Sequence, residues 1–311
     1  IQGLITNKCP REKVNLLRET VHEEKPLCLA LTETWLHDHR EAEVHIEDYI
    51  MFRKDRPLRK KKKKNPSRGR HVGGVALYVN SSWLPDSKEI LEYSNAVVDV
   101  MAIHSKRENI IIAVLYRQPE NRKCTHRMYR STYEDFVEPL KYLDDAITKY
   151  KNPDTEVMIL GDFNMPSADW DLGSHKEGAL EDQIKLVANT QELCDKFLLQ
   201  QIITTSTHCK GNMLDLVFTN YPDRMHSQIA KKTALSDHYI VEFYTNQTEK
   251  FVKVPDNTKH KGSDYGFHML NLQDEEIDWV SLGKACKTDW KEMLKGLSLI
   301  HISEPTRLTC I

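Results

Sequence analysis

Short apolar runs rich in β-branched residues recur along the chain, and three of them end in polar residues. Residues 27–31 lead into Thr-Glu-Thr-Trp, residues 110–115 into Tyr-Arg-Gln-Pro, and residues 157–160 into Gly-Asp-Phe-Asn. Runs of this length and composition predict buried β-strands. The polar side chains are therefore predicted to gather at strand ends, where open α/β proteins place their functional groups.

Other patterns complete a coarse map of the chain. Further strands are predicted at residues 74–79, 97–103, 214–218 and 239–244, and we interpret the first two as purely structural. Apolar residues at helical spacing predict helices within residues 133–147 and 186–198, and a third helix is predicted at residues 11–24, between two prolines. Because strands and helices interleave, the predicted class is a layered α/β fold.

Composition removes several classes of protein. The 311 residues are 40% hydrophobic and 29% charged, which is typical of a soluble globular chain. The sequence shows neither a signal peptide nor an apolar run near the roughly 20 residues that span a bilayer. Its seven cysteines are scattered without a C-x-x-C pair, so a common zinc-site spacing is missing, and we interpret them as reduced thiols of an intracellular protein.

A densely basic segment at residues 53–70 is hidden by the formal net charge of −2. Such a segment suits contacts with DNA phosphates, which give affinity without reading sequence. A solvated insertion and a nuclear import signal are equally open interpretations. The residues predicted to bind nucleic acid are Arg53, Arg56, Lys60, Lys61, Lys62, Lys63, Lys64, Arg68, Arg70 and, outside the segment, Arg117.

Asp162 and Asn164 follow a fully apolar run and stand two residues apart. In an extended chain residues i and i+2 project to the same side, so both side chains can converge on one ligand. The tetrapeptide also suits an ordinary turn, since Gly, Asp and Asn all favour turns. This motif becomes informative only beside the others.

Asp215 interrupts an apolar run, and a buried carboxylate needs a partner because an unpaired buried charge costs several kcal/mol. His238 is the predicted partner, since an Asp on one imidazole nitrogen leaves the other nitrogen facing a substrate. Glu33 ends the first apolar run and suits Mg²⁺, which binds one or two protein carboxylates and keeps several waters. Each residue alone has an ordinary structural explanation, and the hypothesis rests on their occurring together.

Taken in order, these residues resemble the endonuclease/exonuclease/phosphatase superfamily. The motifs are Glu-Thr-Trp-Leu at 33–36, Gly-Asp-Phe-Asn at 161–164, Leu-Asp-Leu-Val-Phe-Thr at 214–219 and Ser-Asp-His at 236–238, with Tyr116 between the first two. The resemblance covers about residues 1–246. It implies a four-layer α/β sandwich of the DNase I type, in which two packed β-sheets are flanked by helices.

The resemblance also implies an activity and a role for each site residue. Water would hydrolyse a phosphodiester by in-line attack with the help of Mg²⁺, or of Mn²⁺ in its place. The implied metal ligands are Glu33 and Asp237, and the implied catalytic residues are Asp162, Asn164, His238, Asp215 and Tyr116. Asp162 would activate the water or protonate the leaving group, while His238 would contact phosphate oxygens or accept a proton.

Within the superfamily, residues 31–36 and 73–79 are most similar to the endonucleases of non-long-terminal-repeat retrotransposons. This similarity implies DNA as partner, a reverse transcriptase following in cis, no membrane association and a nuclear place of action. An Asn-bearing first strand of the family is expected to precede Ile1. Residues 247–296 are interpreted as a linker with short helices toward the transcriptase, and residues 297–311 resemble the translation of a sequencing-library adapter.

Three other functions stay open at this stage. A small-molecule or lipid phosphatase of the same superfamily would share the metal and histidine chemistry. A catalytically inactive remnant would act only as a binding module. A domesticated host nuclease would keep the activity without the transcriptase.

Overall fold

Two six-stranded β-sheets form the centre of the part of the chain that the computed structural model describes. That part comprises residues 12–36, 44–57, 73–119, 133–170, 172–232, 236–245 and 306–310, with only the backbone described for 226–229 and 306–310. All of it lies in one compact unit. The predicted linker at 247–296 and the run from Lys60 to Arg70 lie outside the described residues.

The strands are assigned to the sheets as follows. The first sheet has the order β12-β13-β14-β1-β3-β2, with β1 at Cys28–Thr32, β2 at Tyr49–Lys54, β3 at Val75–Asn80, β12 at Met225–Lys231, β13 at Ile240–Thr245 and β14 at Thr306–Cys310. The second has the order β10-β11-β7-β6-β5-β4, with β4 at Lys88–Ser94, β5 at Val98–Ser105, β6 at Ile110–Arg117, β7 at Glu156–Asp162, β10 at Gln200–Gln201 and β11 at Asp215–Thr219. A small hairpin joins β8 at Ala168–Asp169 to β9 at Ser174–His175.

Three helices cover the outer faces of the sheets in the described residues. Helix α1 spans Glu12–Glu24, α2 spans Tyr133–Tyr150 and α3 spans Glu181–Phe197. The first packs its buried Val14, Leu17 and Val21 against the first sheet, and the other two pack against the second sheet. None of the described helices is long and apolar enough to span a membrane.

Strand β5 shows why the central strands read as nearly continuous apolar runs. Val98, Val100 and Ala102 pack in the cluster that includes the helices α2 and α3, whereas Met101 and Ile103 pack in the cluster between the two sheets. A strand that buries both faces needs apolar residues at most positions rather than at alternate ones. The layers are therefore helix, sheet, sheet and helices, and the predicted four-layer α/β sandwich is confirmed.

Strands that were not predicted lie mostly at sheet edges. The edge strands β2 and β4 are half-buried or exposed at every position, so neither carries a continuous apolar run. The sequence also did not predict β14, which pairs parallel with β1 and antiparallel with β13. Its backbone completes the hydrogen bonding between these two strands of the first sheet.

Gly161 is fixed by the close approach of β7 to β6. Its φ is +142°, and a Cβ there would lie 1.8 Å from the carbonyl oxygen of Leu115. Such an overlap with backbone atoms can be relieved only by moving one of two central strands. The glycine therefore sets the strand geometry immediately before Asp162.

We expect Gly161→Ala to lower the free energy of unfolding by on the order of 3 kcal/mol or more, because backbone must move. The matched control is Gly178→Ala, at φ +77° with no atom within 4 Å of the new methyl group. That control carries only the left-handed penalty of about 1–2 kcal/mol. Urea denaturation of both variants gives the comparison, and equal losses would contradict the assignment.

Candidate active site

Asp162 and Asp215 face each other across the antiparallel pair of β7 and β11. Both are buried, at 2% and 5% exposure. The Nδ1 atom of His238 lies 2.8 Å from Oδ2 of Asp215, and its Nε2 atom lies 3.9 Å from Oδ2 of Asp162. One imidazole therefore stands between two buried carboxylates, and the predicted pairing of Asp215 with His238 is present.

Each of these groups shifts the proton affinity of the next. Burial, then the charge of Asp215, raises the pKa of Asp162 well above its usual value, while His238 acts in the opposite direction. Burial lowers the pKa of His238, but the hydrogen bond and charge of Asp215, with the charge of Asp162, outweigh it and raise the pKa to about 9. The site thus favours an imidazolium beside two carboxyl groups, one of which resists ionisation.

Asn164 holds Asp162 in place. Its backbone N–H donates to Oδ1 of Asp162 at 3.0 Å, and its side-chain amide donates to Oδ2 of Asp162 at 2.7 Å and to the carbonyl of Arg117 at 2.8 Å. Asn164 adopts φ +47°, a conformation that Asn tolerates better than most residues. The two side chains of the tetrapeptide therefore meet, but through a left-handed Asn164 and not through the extended chain that the spacing argument assumed.

Glu33 reaches this cluster from the first sheet. It follows β1 at φ +54°, and its carboxylate accepts a hydrogen bond from the hydroxyl of Tyr116, which lies in the second sheet. Burial, followed by the charges of Glu33 and Asp162, raises the pKa of Tyr116 well above its usual value. The charge of Glu33 also contributes to the raised pKa of Asp162, so the three side chains form one electrostatic group.

Asp237, the other predicted metal ligand, lies at the exposed edge of the same region, with 43% of its side chain accessible. Its Oδ2 atom lies 3.4 Å from Nε2 of His208. Partial burial works to raise the pKa of Asp237, but its own backbone and the charges of His238 and His208 lower it below the usual value. An ionised carboxylate thus stands beside the imidazole of His238.

A buried ion pair that sequence reasoning missed lies beneath Tyr116. Arg56 contacts Asp99 through Nε at 3.1 Å and Nη2 at 2.7 Å, and its guanidinium stands 5.4 Å from the centre of the Tyr116 ring. Asp99 is fully buried in β5, a strand that the sequence indicated as purely structural. The only sequence signal was one Asp within an apolar run, the same signal that identified Asp215.

Gly73 and Gly74 connect this pair to the Glu33 loop. The N–H of Thr34 donates to the carbonyl of Gly74 at 3.2 Å, and the N–H of Gly74 donates to Asp99 at 2.7 Å. A Cβ on Gly73 would lie 2.5 Å from Nε of Arg56, so only glycine admits the guanidinium here. The glycine pair therefore positions the loop that carries Glu33.

The residues predicted to contact DNA lie in different environments. Arg117 is 1% exposed and donates to the carbonyl of Asn164 at 2.8 Å, and the side chain of Arg56 is 8% exposed against Asp99. This burial does not agree with the prediction that they contact DNA, because both guanidinium groups already bind inside the protein. Arg53 lies in β2, 3.5 Å from Asp55. The remaining residues, Lys60 to Lys64, Arg68 and Arg70, lie outside the described part.

Comparison with known proteins finds one family model that matches part of the chain. Residues 110–242 match the family model described as endonuclease-reverse transcriptase. The matched range includes every predicted catalytic and metal-binding residue except Glu33, and of the residues predicted to bind nucleic acid it includes only Arg117. None of the curated proteins matches the chain.

Solved structures are similar to this chain at low sequence identity. The 3′ phosphatase NExo from Neisseria, bound to a product DNA hairpin, has 14% identity and a TM-score of 0.50, with 77% of this chain and 94% of that chain covered. An AP endonuclease from Archaeoglobus fulgidus has 15% identity and a TM-score of 0.48, with the same coverages. The predicted resemblance to the endonuclease/exonuclease/phosphatase superfamily, a group of nucleases and phosphatases, is confirmed.

We expect Asp99→Asn to lower the free energy of unfolding by about 3 kcal/mol or more, because it leaves the Arg56 guanidinium buried without its counter-charge. Glu181→Gln is the control, since it breaks the exposed pair with Lys185 on α3 and should leave stability unchanged. Urea denaturation measures both. A loss for Asp99→Asn no larger than that of the control would refute the role of the buried pair.

The raised pKa of His238 gives stability a defined pH dependence. Its folded value of about 9 exceeds the ordinary value of 6.5, so the stabilisation is complete below pH 6.5 and is lost as pH rises to 9. At about 1.4 kcal/mol per pKa unit the loss is about 3 kcal/mol. Urea unfolding at pH 6.5 and 9.5 without divalent cations should show a clearly smaller loss for Asp215→Asn, and equal losses would contradict the pairing.

Proposed function

We propose that this protein is a divalent-metal-dependent phosphodiesterase that nicks DNA, as in target-site cleavage by a retrotransposon. The observation that carries the proposal is the meeting of Glu33, Tyr116, Asp162, Asp215 and His238 at one end of two packed sheets. The match of residues 110–242 to endonuclease-reverse transcriptases supports DNA as the substrate. A reverse transcriptase in cis is part of the same proposal.

The acidic side chains fit a hard divalent cation. Glu33 and Asp237 offer carboxylate oxygens, which Mg²⁺ and Mn²⁺ prefer as ligands. Mutual repulsion contributes to the raised pKa of Asp162, and a nearby cation would relieve it. When bound, such an ion neutralises phosphate charge and stabilises the departing oxygen.

The protein's own groups have distinct parts in hydrolysis. His238, whose pKa of about 9 keeps it cationic at neutral pH, binds a non-bridging phosphate oxygen through Nε2 while Asp215 holds Nδ1. Asn164 and Tyr116 orient Asp162 and Glu33 around the same phosphate.

Asp162 is the proposed site of proton transfer. Water forms a new bond to phosphorus, and the bond from phosphorus to the 3′ oxygen breaks, which leaves a 5′-phosphate and a 3′-hydroxyl. Burial, the largest cause of the raised pKa of Asp162, persists when a cation relieves the repulsion, so Asp162 retains its proton longer than a free carboxyl group and suits protonation of the departing 3′ oxygen. The proton that the attacking water releases then restores Asp162.

Contact with duplex DNA beyond the cleaved phosphate is proposed for the basic run Lys60 to Lys64. Five consecutive lysines would neutralise several phosphates and make binding depend strongly on salt. Such contacts position the duplex without reading its sequence. Arg56 and Arg117 have no part in this surface because they are buried.

We expect Asp162→Asn to reduce nicking of supercoiled plasmid in Mg²⁺ by about 10²-fold or more, because the amide cannot transfer the proton. Asp154→Asn, at an exposed carboxylate in the turn before β7, is the matched control and should nick as the parent does. Circular dichroism should show both variants folded. Equal nicking by Asp162→Asn and the parent would refute the assignment.

Assays of the parent protein also distinguish the DNA-nicking enzyme from a small-molecule or lipid phosphatase. An inositol phosphate and sphingomyelin serve as competing substrates for the parent protein. Hydrolysis of either one with no plasmid nicking would replace the DNA proposal by the phosphatase alternative.

A further inference from the structure

The loop between β10 and β11 is bound tightly to the segment that carries Asp237 and His238. The N–H of Cys209 donates to the carbonyl of Asp237 at 3.0 Å, and the N–H of Tyr239 donates to the carbonyl of Thr207 at 2.7 Å. His208 and His238 form an antiparallel bridge between these two segments. The backbone therefore places the side chain of His208 directly beside both residues.

The buried imidazole of His208 contacts the two neighbours in different ways. Its Nε2 atom lies 3.4 Å from Oδ2 of Asp237. Its ring stands edge-on to the ring of His238, with 4.8 Å between centroids and 86° between planes. A single side chain thus touches a proposed metal ligand and the proposed phosphate-binding imidazole.

The backbone also fixes which nitrogen of His208 carries the proton. The N–H of Lys210 points at Nδ1 of His208 from 3.1 Å, so Nδ1 is an acceptor. In a neutral imidazole the other nitrogen then holds the hydrogen, and Nε2 becomes a donor toward Asp237. Outer-shell donors of this kind commonly orient the carboxylates that bind metals.

A soft-metal site made by His208, Cys209 and Asp237 fits these contacts less well. Sγ of Cys209 lies 3.9 Å from Nδ1 of His208, whereas Asp237 lies at Nε2. One ion bonds only one nitrogen of a ring, and Nδ1 already accepts the Lys210 N–H. The contacts therefore favour a hydrogen-bonding role.

We infer that His208 is a positioning residue that orients Asp237 through its Nε2–H and fixes the ring plane of His238 through edge contact. The inference rests on the proposed function, since it gives His208 a purpose only if Asp237 binds a cation and His238 binds phosphate. Oδ2 of Asp237 faces the Nε2 of His208, and Oδ1, which accepts a hydrogen bond from the Ser236 hydroxyl at 3.4 Å, keeps a lone pair for the cation.

Two substitutions separate the hydrogen bond from the ring contact. His208→Phe keeps an aromatic ring beside His238 and removes the donor, whereas His208→Gln keeps an N–H donor near the Nε2 position and removes the ring. His104→Phe is the matched control, because His104 is similarly buried, at 9% against 7%, and packs against Tyr150 instead of against a site residue.

The measurements are Mn²⁺ affinity without DNA by titration calorimetry, kcat and KM on a duplex oligonucleotide, and the midpoint of thermal unfolding. We expect His208→Phe to weaken Mn²⁺ binding by about tenfold and to lower kcat by about 10- to 100-fold at unchanged KM. His208→Gln should restore Mn²⁺ affinity to within about threefold of the parent, by the same reasoning. His104→Phe should leave affinity and kcat unchanged.

Other outcomes would overturn the inference. Parent-like Mn²⁺ affinity and kcat in His208→Phe would remove the positioning role. Equal losses in His208→Phe and His208→Gln that follow their thermal midpoints would make His208 merely structural. A parent protein that neither binds Mn²⁺ nor nicks DNA would instead overturn the proposed function, and the inference with it.

Discussion

The fold has to bury two carboxyl groups opposite each other at the ends of two paired strands. Asp162 and Asp215 could not both lie there in isolation, since an uncompensated buried charge costs several kcal/mol. His238 supplies a positive charge to both, and Asn164 donates twice to Asp162. The positions of the loops that carry His238 and Asn164 are therefore constrained by the charge and hydrogen bonds that the two carboxyl groups need.

A second constraint links the two sheets at the same end. Asp99 belongs to the second sheet, while Arg56 and Gly74 flank strands of the first, so their contacts cross the sandwich. Because the carbonyl of Gly74 also receives the N–H of Thr34, the loop that carries Glu33 is fixed relative to Tyr116. Glu33, the proposed metal ligand, is thus oriented by the ion pair of Arg56 and Asp99, which is buried and does not contact the proposed substrate.

The sequence predicted the elements whose formation is determined by the residues of a single segment. Central strands such as residues 110–115 bury both faces and read as apolar runs, and the strand-end motifs follow directly from them. Edge strands such as β2 carry no comparable pattern, and β14 forms only through pairing with β1 and β13. Arg56 and Arg117 show the opposite error. Neither the polar stretch around Arg56 nor the strand end at Arg117 indicates a buried partner, which is Asp99 for Arg56 and the carbonyl of Asn164 for Arg117. Contacts between residues distant in the chain decide these cases, and one sequence does not contain them.

Backbone strain is present in the same region. Of the described non-glycine residues with positive φ, three lie at or beside the site: Glu33, Trp35 and Asn164, at 54°, 53° and 47°. Such conformations each cost on the order of 1–3 kcal/mol and persist only where surrounding contacts over-determine them. Here the contacts are identifiable: the carbonyls of Gly73 and Gly74 hold the residues after Glu33, and Asp162 with Arg117 holds Asn164. Since electrostatic stabilisation is most effective when donors and charges are fixed before reaction, this strain is consistent with a site whose geometry exists before any phosphate arrives.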